Sequence, residues 1–146
     1  MKSDRPSRTA HLVALGRALA DLGLSHVPNF HDPTARFFLN GKGKQSLAKV
    51  EQQARAVKPG FRVRAARGMA DMIALRTAAI DAGVRSAIAA GATQLVILGA
   101  GYDGRAWRMS ELAGVKVFEV DRSATQQDKR APSATLQSAA HRVSLP

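Results

Sequence analysis

A short apolar run without helical spacing, followed at once by a glycine-rich turn, constrains the fold of this chain more than any other feature. The run is Gln94–Leu98, and glycines lie on both sides of it, so we predict a parallel strand buried on both faces. The turn follows over residues 99–105, a helix is predicted over 105–112, and a second strand over 115–120. This order of strand, glycine turn, helix and strand forms one βαβ unit, which predicts an α/β fold.

The turn and the end of the second strand carry residues suited to binding a nucleoside. Gly99, Ala100 and Gly101 let a ligand approach the backbone, because larger side chains would collide with it. The helix that follows directs unpaired N–H groups toward the same place. Glu119 and Asp121 end the second strand, and a carboxylate there accepts hydrogen bonds from both ribose hydroxyls. Loss of the acid is expected to weaken nucleoside binding roughly ten- to a hundredfold.

The spacing of these residues does not identify the nucleoside. The turn also satisfies G-x-G-x-x-G, with glycines at positions 99, 101 and 104, which is a pattern of nicotinamide dinucleotide sites. A half-domain of an NAD-binding oxidoreductase is therefore an alternative. The long helical segment that precedes the turn disfavours this alternative.

Helical patterns dominate the chain before the turn. Ser7 is predicted to cap a helix that stops at Gly23, and Asp32 to cap a short helix that ends near residue 39. Residues 40–44 read as a loop, and further helices are predicted over 46–57, 61–75 and 77–90, with Pro59 as a break and Gly91 as the last helix's stop. The side chains expected to be buried in the first two helices are Leu12, Leu15, Leu19, Leu22, Phe37, Phe38 and Leu39.

Two further elements are predicted after the second strand. A helix is expected over residues 123–130, interrupted at Pro132, and a third strand over 142–145. We divide the chain into a helical N-terminal segment, residues 1–70, and the first part of an α/β domain, residues 71–146.

Composition excludes several classes of function. The 146 residues include no cysteine, which rules out disulfides, thiolate metal sites and cysteine nucleophiles. The four histidines show no ligand-like spacing, so no metal is expected. No apolar run approaches the roughly 18 residues of a membrane span, and we predict a cytoplasmic protein without membrane association.

Positive charge is concentrated in the first half of the chain. The net charge is +11; residues 1–70 hold 13 Lys or Arg against 4 acids and contribute +9, and residues 71–146 hold 9 against 7 and contribute +2. Eight of the positive residues lie between Lys42 and Arg67, and such a stripe could contact nucleic-acid phosphates. No aromatic side chains interleave these charges as stacking platforms, so a solvated helix surface is the favoured interpretation.

A set of short motifs between residues 76 and 129 matches a known pattern. The motifs are Arg76-Thr77, Ile80-Asp81, the run QLVILGAGYDGRAWR over residues 94–108, Phe118-Glu119-Val120-Asp121 and Lys129. In this order they resemble the leucine carboxyl methyltransferase family, which includes bacterial enzymes similar to the polyketide O-methyltransferase of tetracenomycin synthesis. Residues 7–18 and 32–35 are similar to the family's opening helices. Gly104 departs from the pattern, since the family usually has threonine there.

The resemblance implies a cofactor and roles for individual residues. The cofactor would be S-adenosyl-L-methionine, bound by a class I, Rossmann-like methyltransferase fold. Arg76 would pair with the carboxylate of its methionine part, Gly99 and Gly101 would line that part, and Asp121 would hold the ribose. Arg17 stands where the family often has a basic residue near the cofactor. Three charged residues after the turn are expected to form a supporting salt-bridge network, and an aromatic residue is expected to pack on the sheet: Asp103, Arg105, Arg108 and Trp107.

The implied reaction is transfer of a methyl group from a sulfonium to a carboxylate or hydroxyl oxygen of a small-molecule acceptor. Only one βαβ unit and part of another are present, whereas the complete sheet of such methyltransferases has seven strands. We therefore expect a truncated or partial chain with an incomplete sheet, an unpaired strand edge and an uncovered apolar face, which favours self-association. We expect weak cofactor binding and little or no methyl transfer by the chain alone.

Overall fold

Helices from the first half of the chain pack beside a small parallel sheet formed by the second half. The computed structural model describes residues 5–56, 58 and 60–146. No helix in these ranges is long and apolar enough to cross a membrane. The regular elements, in chain order, are α1 (Arg8–Leu19), a π-helical turn (Ala20–Leu24), a 3-10 helix (Ala35–Phe38), α2 (Gly41–Ala54), α3 (Phe61–Ala89), β1 (Gln94–Leu98), α4 (Arg105–Arg108), a 3-10 helix (Ser110–Leu112), β2 (Lys116–Val120), α5 (Ser123–Ser133) and β3 (His141–Leu145).

The sheet has three strands in the order β1-β2-β3, and both pairings are parallel. Gln94 lies opposite Lys116, which in turn lies opposite His141. The predicted α/β class, the βαβ unit and the third strand are thereby confirmed. The sheet is open, as expected for part of a Rossmann-like methyltransferase fold.

One face of β1 is uncovered, so the prediction of burial on both faces is wrong. Val96 is 56% exposed and Leu98 is 78% exposed, whereas Leu95 and Ile97 pack toward a cluster around Val117. Within the described ranges β1 pairs with β2 alone, and this edge stays free. The expected unpaired edge and uncovered apolar face are therefore confirmed.

The first helix is capped as predicted, and only part of its predicted apolar side is buried. The Ser7 hydroxyl oxygen accepts a hydrogen bond from the Ala10 amide at 3.2 Å. Leu19 is buried as predicted, whereas Leu12 is 52% exposed and Leu22 is 40% exposed. Small residues such as Ala14 and Ala18 form much of the rest of the buried side. Small residues are needed because α1 approaches α3 closely: a Cβ atom on Gly16 would lie 2.3 Å from the Ile73 Cδ1 atom.

The second predicted helix is a single 3-10 turn. The Asp32 carboxylate accepts from the Ala35 amide at 3.2 Å, as its predicted capping role requires. Phe38 and Leu39 are buried as expected, but Phe37 is 42% exposed. A 3-10 turn has three residues per turn, so it turns Phe37 to solvent.

Residues 40–44, predicted as a loop, form the start of α2. The Asn40 side chain caps this helix by accepting from the Gly43 amide at 2.8 Å. An asparagine cap stabilises the first turn enough to include two glycines. Val57 and Pro59, the predicted end and break of this helix, lie outside the described residues.

The two helices predicted on either side of residue 76 are one helix of 29 residues, α3. It passes without a break through residues 70 and 71, where we divided the chain. Gly91 follows its end with a φ of 96°, in agreement with the predicted stop. α4 is shorter than expected because Met109 adopts an extended backbone, with ψ 103°, and α5 continues past the predicted interruption through Pro132.

Candidate functional site

An open cavity of about 550 Å³ lies between α1, α3 and the end of β1. Its volume is in the range of ligand-binding clefts. Five of the six residues predicted to bind a cofactor line it: Arg76, Gly99, Ala100, Gly101 and Asp121.

The glycine turn adopts a conformation that these residues favour. Gly99 has a φ of 63° and Gly101 a φ of 50°, in the left-handed region that other residues rarely adopt. The Ala100 amide donates to the Val120 carbonyl at 3.1 Å, and the Gly101 amide donates to the Asp121 carboxylate at 2.6 Å. The turn after β1 is thus fixed to the end of β2.

The half-buried carboxylate of Asp121 retains hydrogen-bonding capacity. One oxygen accepts from Gly101 at 2.6 Å, and the other accepts from the Arg122 amide at 2.6 Å. An ionised carboxylate has about four lone-pair sites. Two sites therefore stay available for ribose hydroxyls, which fits the predicted role.

Arg76 presents an exposed guanidinium to the cavity without a carboxylate partner in the described part of the chain. The two aspartates within helical reach have other partners. Asp71 contacts the His26 side chain at 2.9 Å, and Asp81 contacts Arg105 and Arg108, each at 2.7 Å. A fixed cation of this kind suits a ligand carboxylate, because arginine offers a two-pronged donor.

Glu119 is the one predicted cofactor residue that the structure does not bring to this cavity. Both of its carboxylate oxygens lie 3.0 Å from the Lys129 ammonium, and both side chains are almost fully buried. Burial is the largest influence on the pKa of Lys129 and lowers it, despite the neighbouring Glu119. Lys129 on α5 and, at 3.5 Å, Arg142 on β3 hold the Glu119 side chain, which does not line the cavity that Asp121 lines.

The predicted salt-bridge network beneath the turn is confirmed. Arg105 contacts Asp103 and, at 2.7 Å, Asp81; Arg108 also contacts Asp81 at 2.7 Å. Burial raises the pKa of Asp103, but the guanidinium groups of Arg105 and Arg17 outweigh it, so this pKa lies below its ordinary value. The turn, α4 and α3 are joined by these pairs.

The network extends to the N-terminal helix through Asp32, which sequence reasoning treated only as a helix cap. Its buried carboxylate lies 2.9 Å from Arg17 and 3.3 Å from Arg108. Arg17 lines the cavity, and its guanidinium also donates to the carbonyl oxygen of Tyr102. Arg17 therefore reaches the glycine turn, with its guanidinium held by Asp32 and Tyr102.

Tyr102 is the residue near the site that sequence reasoning missed. Its hydroxyl donates to Asp128 on α5 and lies 3.1 Å from the His11 Nε2 atom. Burial, followed by the hydrogen bond to Asp128, raises the pKa of Tyr102, so the hydroxyl remains a donor at neutral pH. The available signal was its position directly after Gly101.

Gly104 packs against the N-terminal segment. A Cβ atom at this position would lie 2.0 Å from the Thr34 hydroxyl oxygen, which donates to Asp32 at 2.6 Å. The backbone of Gly104 has a φ of −109°, which any residue adopts, so the constraint is steric. Thr34 fills the space that a side chain at position 104 would need.

Trp107 and three of the histidines make structural contacts. Trp107 is partly buried and packs on Phe38 with ring centroids 5.7 Å apart, and the Arg142 guanidinium lies 4.1 Å from its ring. The residues that the structure describes contain no group of three or more potential metal ligands. Three histidines instead contact single aspartates: His11, His26 and His31.

Comparison with known proteins agrees with this geometry. Residues 10–144 match the sequence profile of the family described as leucine carboxyl methyltransferase. A protein of Mycobacterium avium named as an S-adenosyl-L-methionine-dependent methyltransferase is 41% identical over 138 residues, which cover 88% of this chain and 42% of that protein. One of Mycobacteroides abscessus with the same name is 40% identical over 122 residues, covering 77% of this chain and 38% of that protein.

The match covers nearly all of the chain but only part of each relative. This chain spans about two fifths of the length of the curated relatives that it matches, and a third example, from Mycolicibacterium paratuberculosis, is covered over 40% of its length at 34% identity. The matched region contains the glycine turn, Arg76 and Asp121. The chain belongs to the leucine carboxyl methyltransferase family.

Proposed function

We propose that this chain forms the cofactor-binding part of an S-adenosyl-L-methionine-dependent O-methyltransferase. The observation that carries the proposal is one cavity in which the Gly101 amide is bonded to Asp121 at 2.6 Å. The guanidinium of Arg76, which has no carboxylate partner among the described residues, faces the same space. A carboxylate-bearing nucleoside has both groups that such a site would recognise.

Each residue has a distinct proposed role. Arg76 pairs with the carboxylate of the methionine part, the backbone at Gly99, Ala100 and Gly101 lines that part, and Asp121 accepts from the ribose hydroxyls. Glu119 was predicted from sequence as a further contact. Its placement beside Lys129 favours a role in holding α5 to the sheet instead.

The bound cofactor would supply a methyl group on a sulfonium, and the protein would supply alignment. Positioning of reacting groups accounts for up to about 7–11 kcal/mol of such a barrier. We propose a small molecule with a carboxylate or hydroxyl oxygen as acceptor. Val96 and Leu98 line the cavity and are exposed, so the site is open on this side. We therefore expect weak cofactor binding and little or no methyl transfer by these 146 residues alone.

Calorimetric titration tests the cofactor. The chain is titrated with S-adenosylmethionine, with its demethylated product S-adenosylhomocysteine, and with NAD. Tighter binding of the first two supports the proposal, and tighter binding of NAD supports the oxidoreductase alternative.

A second arginine on α3, Arg62, provides a matched control for substitution of Arg76. Arg76→Met removes the proposed carboxylate partner, whereas Arg62→Met removes an exposed arginine near the start of the same helix. We expect a loss of roughly tenfold or more for Arg76→Met, because a hydrogen bond to a charged group contributes about 1.5–3 kcal/mol. Equal affinities of the two variants would contradict the role of Arg76.

We further propose that the chain is cytoplasmic.

We also propose that the chain self-associates through the free edge of β1. The supporting observation is that Val96 and Leu98 are exposed next to strand N–H and C=O groups that have no strand partner in the described ranges. Sedimentation should show association that increases with concentration and is suppressed in Val96→Lys. A single monomer boundary at all concentrations would contradict it.

Nucleic-acid binding is the weaker proposal for the exposed basic stripe. The stripe lies mostly on α2 and the start of α3. Phe61 lies among its charges and is 76% exposed, so the interpretation that no aromatic side chain interleaves them is wrong at this position. Binding to duplex DNA that falls steeply with added salt would support such a role. Absent or salt-independent binding would eliminate it.

A further inference from the structure

Tyr102, which directly follows Gly101, is held at its backbone carbonyl and at its side-chain hydroxyl. Its carbonyl oxygen accepts from the Arg17 guanidinium on α1, and its hydroxyl donates to Asp128 on α5. The side chain is 2% exposed, and its ring lies between the rings of His11 and Phe38, with centroids 4.6 and 5.9 Å away. Helices α1 and α5, which are distant in sequence, thus both hold Tyr102, the residue next to Gly101.

Arg17 is built into this arrangement rather than resting on the surface. It is 4% exposed, and its second contact is the fully buried carboxylate of Asp32 at 2.9 Å. Burying a guanidinium is unfavourable unless its charge is paired and its donors are used. The pairing with Asp32 fixes the position of Arg17, and Arg17 in turn fixes the Tyr102 carbonyl.

The turn needs such support because it contains two glycines. Gly99 and Gly101 have both φ angles in the left-handed region, and a glycine loses more backbone freedom on ordering than any other residue. If the turn is already ordered, a ligand does not have to order it, and affinity rises without any new contact.

We propose that Tyr102 and Arg17 are positioning residues that hold the turn at residues 99–101 in its ligand-binding conformation before the cofactor arrives. This inference rests on the cofactor site proposed above. It assigns to α1 and α5 a part in cofactor affinity, because they supply the two anchors of Tyr102.

The test uses Tyr102→Phe, which keeps the ring and removes the hydroxyl, and Arg17→Met, which removes the donor to the carbonyl. Val63→Ala is the matched control, since Val63 is a buried residue of α3 outside this site. S-adenosylhomocysteine affinity is measured by calorimetry for each protein. We expect about three- to tenfold weaker binding for Tyr102→Phe and a larger loss for Arg17→Met, partly restored in Arg17→Lys, while Val63→Ala binds as the wild type does.

Hydrogen exchange of the ligand-free chain provides a readout that general destabilisation does not imitate. The Gly101 amide, bonded to Asp121, should exchange several-fold faster in Tyr102→Phe and Arg17→Met, with little change in the middle of α3. In Val63→Ala the Gly101 amide should exchange as in the wild type, and faster exchange should appear near the start of α3, where Val63 lies.

The outcomes separate this inference from the proposed function. If the wild type binds and the variants bind equally well with unchanged exchange at the turn, the positioning role is overturned and the cofactor site stands. If the wild type binds neither S-adenosylhomocysteine nor S-adenosylmethionine, the proposed function fails. Exchange then decides the positioning role alone: faster exchange confined to the turn supports it, and unchanged exchange overturns it.

Discussion

The carboxylate of Asp121 serves the turn and the proposed ligand at once. It accepts from Gly101 at 2.6 Å, so replacing it changes the protein as well as the contact to ribose. In Asp121→Asn the amide oxygen still accepts from Gly101, whereas the negative charge is lost. We expect S-adenosylhomocysteine binding to weaken roughly tenfold in Asp121→Asn and more in Asp121→Ala, since charged hydrogen bonds are about twice as strong as neutral ones. Unchanged affinity in both variants, measured by calorimetry, would remove Asp121 from the site.

A second residue-scale prediction concerns Gly104. Because its Cβ would meet the Thr34 hydroxyl at 2.0 Å, Gly104→Ala should lower the free energy of unfolding by about 1–3 kcal/mol. Urea denaturation measures the loss. Removing the obstructing hydroxyl in Thr34→Ala should make the double variant more stable than the sum of the single losses implies. Strict additivity would show that the two residues do not collide.

The positions of the motif residues in the site could be predicted from sequence, whereas the residues that hold the motif in place could not. Gly99, Gly101 and Asp121 follow strand ends, so the βαβ order predicts that they meet. Tyr102 and Arg17 are separated by 85 positions, and only the folded chain shows their contact. Glu119 was grouped with Asp121 because it lies only two residues earlier in the sequence, but its buried ion pair with Lys129 holds it away from the cavity.

At the scale of elements, α5 is fixed to β2 by a buried ion pair. Glu119 and Lys129 are each about 97–98% buried and lie 3.0 Å apart. Lys129→Met leaves a buried carboxylate with Arg142 at 3.5 Å, so we expect a loss of about 3–5 kcal/mol in unfolding free energy. The double variant with Glu119→Leu should recover most of that loss, as replacement of a whole buried pair by apolar groups is often neutral. A double variant less stable than Lys129→Met would contradict this reading.

The segment after α1 is tied to α3 by Asp71, and this contact depends on pH. Hydrogen bonds from the His26 side chain and backbone lower the pKa of Asp71 from 3.8 to about 2. A lowered carboxyl pKa contributes stability that is complete above the unfolded value and is lost as pH falls through the folded value. The stability difference between wild type and Asp71→Asn should therefore be present at pH 5 and shrink between pH 3.8 and 2. A difference of the same size at pH 2 and pH 5 would show that the carboxylate charge does not matter.

Elements were predictable where one local signal dominated. The strands and the caps at Ser7 and Gly91 follow from side-chain type, and the structure has them. The start of α2 was mistaken because glycines and lysines suggest a loop unless the Asn40 cap is given more weight. The buried side of α1 was predicted correctly at Leu19 but not at Leu12, because close packing against α3 selects small residues such as Ala14 and Ala18 for the rest of that side.

At the scale of the molecule, the helical segment and the sheet meet at the glycine turn. Arg17 and Asp32 from the first part join Arg108 and Tyr102 from the second. The division at residue 70 falls within the continuous helix α3. The two parts are expected to unfold together, because the ion pairs that join them are buried.

The central claim is that a nucleoside bearing a carboxylate binds between Arg76, the turn and Asp121. The most direct test is an amide-resolved NMR titration of the chain with S-adenosylhomocysteine. We predict that the largest shifts occur at the amides of residues 99–101 and 121–122, and that these shifts are reduced in Arg76→Met. Shifts confined to α2 or the start of α3, or none at saturating ligand, would contradict it.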